Sequence, residues 1–349
     1  MRNFKVLESF RFIGAILVAI GHFLWRFGPT DKISISFILV VDFFFVLSAF
    51  LITLKQTDLT IETDNYLKKL FTGRLVRLLL PYIVLALFYN VFLFKIFYNR
   101  RVNLFEYFVS LSLIQILGVN LGGAFNDVNV LGVSWALGLE LYVGTIFFPI
   151  VFHLKKKYSG ILSFICIMIF IISIGVLRQF SPDFFNIHYW RYTEIPFGIF
   201  RIIISYSIGT LCAILYKKIE KFQFNKYKFL IFNIFEVFSL IMLVKIYGSI
   251  NYNRQNDFIF PIIIGLIITI FSYEIGFISK ILRKVSKLGK LGYSIYLIHP
   301  FFIQIFKYKG LSNIYFYLGI VVLVSFLFYY FIEKRIIDLK YYLLSKAYI

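Results

Sequence analysis

Phe10-Arg11-Phe12-Ile13-Gly14-Ala15-Ile16-Leu17-Val18-Ala19-Ile20-Gly21-His22-Phe23-Leu24-Trp25 is an apolar stretch that holds two ionisable residues. Eleven steps along an α-helix make about three turns and rise about 16 Å. Arg11 and His22 therefore project from one face, the Arg near one end and the His deep inside. A charged group at the centre of a bilayer costs a few kcal/mol or more and usually marks a functional interior. Two on one face predict a polar path through the protein.

The remainder of the chain repeats the pattern. Of 349 residues, 60% are apolar and only 15% charged, with 45 Phe, which is too little charge to coat a soluble body of this size. Ten stretches are long and apolar enough to cross a bilayer: 9–28, 33–54, 79–98, 133–153, 160–177, 197–216, 228–247, 258–278, 290–306 and 311–331. The expected fold is all-α, a polytopic helix bundle with both termini cytoplasmic. With that orientation the inner connections carry 24 Lys and Arg against 8 outside, the bias that orients membrane proteins. The net charge of +20 is spread among connections rather than gathered into a stripe, so no nucleic acid is expected as a partner. Residues 104–118 contain Glu106 and Gln115 and are short, which favours a buried or re-entrant helix over an eleventh span. Lys155–Lys157 and the Lys-rich 217–228 connection are topology signals.

Counting about 1.5 Å per residue from the outer helix ends places His22, Asp42, Glu140 and His299 roughly 10–13 Å deep, with Arg201 a few residues down. Five helices thus contribute to one layer in the outer half of the membrane. A neutral imidazole serves as a general base near pH 7, and a carboxylate on its far nitrogen fixes its tautomer. Asp42 is expected in that role beside His22; the alternative is that the two merely hold helices together. Arg74 and Arg77, three apart, share a helical face at the inner entrance of the span beginning at 79. With Arg11 they suit a phosphate-rich anionic cofactor on the inner side. They serve equally well as orienting charges or contacts for anionic lipid. His153 and His188 read as interfacial residues, and Glu236 and Lys245 receive no role. Cys166 and Cys212 lie in apolar segments. No zinc-type cluster, phosphate-cradling loop or nucleophile elbow is present, so no metal is expected.

The motifs resemble those of the membrane-bound acyltransferase-3 family. They are the Arg11–His22 spacing, Val41-Asp42-Phe43-Phe44-Phe45-Val46-Leu47-Ser48-Ala49-Phe50-Leu51-Ile52, Arg74-Leu75-Val76-Arg77 with Pro81-Tyr82, Ser134-Trp135-Ala136-Leu137-Gly138-Leu139-Glu140, and Leu288-Gly289-Lys290-Leu291-Gly292-Tyr293-Ser294-Ile295-Tyr296-Leu297-Ile298-His299-Pro300. The resemblance implies a domain over 1–335 followed by a short cytoplasmic tail at 336–349. It also implies a cytoplasmic acyl-CoA donor, acetyl-CoA foremost, and an acceptor on the other face. His22 would stand closest to the chemistry, with Arg11, Asp42, Arg74, Arg77 and Glu140 as functional positions. Ala49 replaces the family's Gly and Ala136 its Ser. Some relatives carry a C-terminal extracytoplasmic hydrolase-like domain that this chain lacks, so transfer is expected directly to the acceptor or to a separate partner.

The expected activity is O-acyl transfer, most simply O-acetylation, onto a cell-surface glycan or lipid-linked sugar in a bacterial plasma membrane. His22, Asp42 and Glu140 form the expected catalytic set. Arg11, Arg74 and Arg77 bind the donor, while Trp135, Arg201 and His299 line the acceptor side. Membrane lipids, glycan-biosynthesis proteins or a second copy of the chain are the expected partners. The rival is a transporter or flippase for a lipid-linked saccharide, which also needs buried charge at mid-membrane.

Overall fold

A computed structural model describes residues 3–28, 37–57, 63–89, 104–114, 134–181, 196–221, 227–247 and 257–346. Among these the chain is helical throughout, without a strand. The helices are α1 Lys5–Phe27, α2 Val40–Thr57, α3 Thr63–Arg74, α4 Leu80–Phe88, α5 Leu104–Ser112, α6 Ser134–Lys157 and α7 Ser159–Phe180. Then follow α8 Phe197–Glu220, α9 Lys228–Tyr247, α10 Ile259–Phe271, α11 Phe277–Leu282, α12 Gly292–Lys309, α13 Ile314–Phe328 and α14 Lys334–Lys346.

A helix falls at each of the ten expected stretches, but six among the described residues are long and apolar enough to cross a membrane. They are Lys5–Phe27, Tyr66–Phe88, Ser134–Lys155, Gly160–Phe180, Phe197–Glu220 and Ile314–Leu343. The 13 residues of α10 reach only about 20 Å, short of the roughly 30 Å hydrocarbon layer. Rows of exposed apolar side chains, such as Phe164, Ile167 and Ile171 on α7 and Ile234, Phe238 and Ile241 on α9, suit a lipid surround. This is a membrane protein. The nine-residue α5 is too short to span and rests on its neighbours. Tyr82 donates to Ser110 O at 2.8 Å and Tyr142 to Ser112 O at 2.5 Å. Residues 115–118 of that segment, and His188, lie outside the described residues.

The third span begins earlier than its charges led one to expect. It starts near Thr63 rather than at 79, so Arg74 and Arg77 lie within it and not at its entrance. Between α3 and α4 the backbone widens into one π-turn, Leu75–Leu79. Pro81 explains the widening, because its ring lacks an N–H and crowds the carbonyl four residues back. The Tyr293 hydroxyl donates to Leu78 O in this turn at 2.5 Å.

Glycines set the closest helix contacts. At Gly209 of α8 a Cβ would collide with Val46 O and the Ala49 methyl of α2. The close approach therefore survives the Ala49 replacement, because the small residue stands on the facing helix. Among the described residues, α2 and α8 make the most extensive helix–helix contact. Gly289 and Gly292 lie against the α1 backbone at Glu8 and Arg11, which seats the 283–291 turns and the start of α12 on α1. Glu236, fully buried on α9, accepts from the Gly276 and Ser279 backbone N–H groups at 3.1 and 3.2 Å and from the Ser279 hydroxyl. It caps the first turn of α11, a structural role that spacing along α9 does not reveal.

Candidate active site

Three polar groupings occupy the interior where α1, α2, α6, α8 and α12 meet. The first is an imidazole pair. His22 Nδ1 lies 3.0 Å from Val18 O and 3.2 Å from His299 Nε2, with ring centroids 5.1 Å apart. His299 Nδ1 lies 3.2 Å from Ile295 O. Each ring thus reaches back four residues along its own helix. A carbonyl only accepts, so both Nδ1 atoms carry the proton. The opposite assignment would set two imidazole lone pairs against two carbonyls. His299 Nε2 is then an acceptor for the shared His22 Nδ1–H. His22 Nε2 is left unprotonated, with no hydrogen-bond partner among the described residues. Pro300 contributes here: without its N–H, Tyr296 O, beside the Ile295 carbonyl that holds the His299 ring, loses its usual helical donor.

Asp42 belongs to a second grouping, and the expected His22–Asp42 contact is absent. Arg201 Nε stands 3.1 and 3.0 Å from the two carboxylate oxygens and Nη2 stands 2.6 Å from Oδ2. Ser205 donates to Oδ1 at 3.0 Å. Both charged side chains are buried, Asp42 at 0% and Arg201 at 1% exposure. The Arg201 guanidinium also stacks 5.3 Å from the Trp135 ring, which meets Phe45 edge-on at 6.1 Å. Arg201 and Trp135, expected on the acceptor side, are thus occupied with Asp42 and with each other. The carboxylate went elsewhere because a guanidinium offers paired, charge-assisted bonds that a neutral imidazole does not.

The third grouping centres on Glu140. It accepts from Ser48 at 2.5 Å and from Tyr206 at 2.7 Å, and pairs with Arg74 Nη2 at 3.2 Å. Arg74 also bonds Glu140 O and stacks 5.0 Å from Phe148. Its guanidinium fills the space over Gly144, where a Cβ would overlap it. At 7% exposure Arg74 is a buried brace and does not reach out to a phosphate as expected. Arg77 does stand exposed. It interacts electrostatically with Arg11, Lys340 and Glu333, and Lys340 in turn with Lys55. Arg11 is half-buried and paired with Glu8 at 2.5 Å. Arg11, Lys55, Arg77 and Lys340 are thus near enough to feel one another's charge, with Glu8 and Glu333 beside them. Among the described residues no group of His, Cys, Asp and Glu could hold a metal ion.

Residue spacing misses Ser48, Gly144, Ser205, Tyr206, Lys55 and Lys340. Two left a signal, since Ser205 follows Arg201 and Gly144 follows Glu140 by four, on the same helical face. His299 is fully buried behind His22 and turns its reactive nitrogen to that ring, not to an acceptor. Ala136 packs in the apolar core, where no hydroxyl is called for.

A bundle of apolar helices around buried ion pairs and a buried imidazole pair defines a membrane protein with a polar interior. Residues 4–332 match the family model described as an acyltransferase domain, and the chain belongs to the acyltransferase-3 family. Neither a curated protein nor a solved structure matches it.

Proposed function

We propose that this chain is an integral-membrane O-acyltransferase, moving an acetyl group from cytoplasmic acetyl-CoA to a hydroxyl of an extracytoplasmic glycan or lipid-linked sugar. The observation that carries this is His22 Nε2, which has no hydrogen-bond partner among the described residues while Nδ1 is held by two contacts. Nε2 takes the proton from the acceptor hydroxyl as its oxygen attacks the thioester carbonyl. The tetrahedral intermediate collapses with cleavage of the C–S bond. The imidazolium then returns the proton to the departing thiolate, so ester and free CoA leave and neutral His22 is restored. General-base assistance of this kind is worth about 10²–10⁴ in rate.

Arg77, Arg11, Lys340 and Lys55 hold the phosphates of the donor, and their mutual repulsion is relieved when the polyanion binds. The Arg74–Glu140–Tyr206 and Asp42–Arg201–Ser205 groupings tie together α2, the third span, α6 and α8, beside the helix that carries the base. The setting is a bacterial plasma membrane with both termini cytoplasmic, where a glycan-biosynthesis protein or a second copy presents the acceptor. Family membership favours transfer over the flippase reading.

The test is radiolabelled acetyl-CoA with nanodisc-embedded protein and glycan from a deletion strain. Label should reach the glycan with the native protein and not with His22→Ala. Full labelling by a folded His22→Ala protein would end the proposal, and glycan movement without label would favour the flippase.

A further inference from the structure

From the His22–His299 geometry we infer that His299 is a positioning residue that does for His22 what a carboxylate does in the familiar Ser-His-Asp arrangement. This rests on His22 being the base. The sequence offered Asp42 for that task, but Asp42 is committed to Arg201 and Ser205. What lies on the far nitrogen of His22 is a carbonyl, Val18 O, and a second imidazole.

The polarity of this chain is fixed from its buried end. Ile295 O accepts from His299 Nδ1–H, which leaves the Nε2 lone pair pointing at His22. That lone pair and Val18 O together hold the His22 proton on Nδ1, so Nε2 stays basic. When Nε2 takes the acceptor's proton, the Nδ1–H of the imidazolium becomes a stronger donor, and its two acceptors bind it more tightly. No proton need pass to His299. A neutral imidazole also suits this depth better than a second carboxylate would, because it adds no charge to be desolvated between turnovers. The ring is braced on every side. It is fully buried, Tyr317 donates to its backbone carbonyl at 3.1 Å, and the Tyr296 ring lies 5.9 Å away.

Three substitutions separate positioning from packing. His299→Gln can set its amide oxygen where Nε2 lies and so keep an acceptor for His22. His299→Asn places its oxygen near the Nδ1 position instead, and His299→Leu supplies volume alone. Steady-state transfer in nanodiscs should show kcat within a few-fold of native for the Gln variant. The Asn and Leu variants should lose about ten- to a hundredfold, part of what a general base supplies. KM for acetyl-CoA should hold throughout, since His299 is fully buried behind His22. Equal kcat in the Gln and Asn variants, or native kcat in all three, overturns the inference. Should the Leu variant fail to fold, the Gln–Asn comparison decides alone. An inactive His22→Ala protein beside fully active His299 variants sinks only the role of His299. An active His22→Ala protein sinks the catalytic proposal itself.

Discussion

Asp42→Asn keeps the shape of the side chain and removes the charge that Arg201 pairs with, 2.6 Å away and shielded from solvent. Breaking one side of such a buried pair costs roughly 3–5 kcal/mol, mostly solvation that the remaining ion does not recover. At on the order of 2 °C per kcal/mol for a chain of this length, the unfolding temperature should fall by about 6–10 °C. Arg201→Met alone should cost a comparable amount. The double variant should cost less than their sum by about 2 kcal/mol or more, because the second change removes the ion that the first left uncompensated. The corresponding cycle between Asp42→Asn and His22→Ala should be additive within about 0.5 kcal/mol, as no contact joins the pair. The assay is thermal unfolding of detergent-purified protein followed by tryptophan fluorescence. Additivity between Asp42 and Arg201, together with strong coupling between Asp42 and His22, would refute the reasoning and return Asp42 to the imidazole.

Gly144→Ala should displace the Arg74 guanidinium and weaken its pairing with Glu140, lowering the unfolding temperature and transferase activity together; an unchanged protein would show that Arg74 is not confined there. Arg77→Ala and Lys340→Ala should each raise KM for acetyl-CoA several-fold in dilute buffer and less at high salt, as screening dictates. Unchanged KM at both ionic strengths would remove them from the donor site. Gly289→Ala should sharply reduce folded yield, since the new methyl meets the Glu8 backbone, which has no flexible end to yield. Size-exclusion profiles at matched expression read this directly.

Hydropathy made the all-α class legible, and counting residues along each helix brought His22, Asp42, Glu140, Arg201 and His299 to one depth. Depth does not determine pairing. Which carboxylate meets which cation depends on helix rotation and on neighbours up to 163 positions away, as for Asp42 and Ser205. The misplaced start of the third span has the same origin. Arg74 looked like a boundary charge until Glu140, 66 positions on, supplied its partner. Counting placed His299 at the depth of His22, but that the two rings face each other depends on α1 and α12 meeting through Gly289 and Gly292.

The proposed site is stitched together from helices far apart along the chain. His22 and His299 are 277 residues apart, and Lys340 comes from a helix made later still. A growing chain therefore carries the proposed base, His22, for 277 residues before the ring that bonds it is made. On the proposed mechanism the base is set only once α12 has docked on α1, so transfer waits on a helix made late in synthesis.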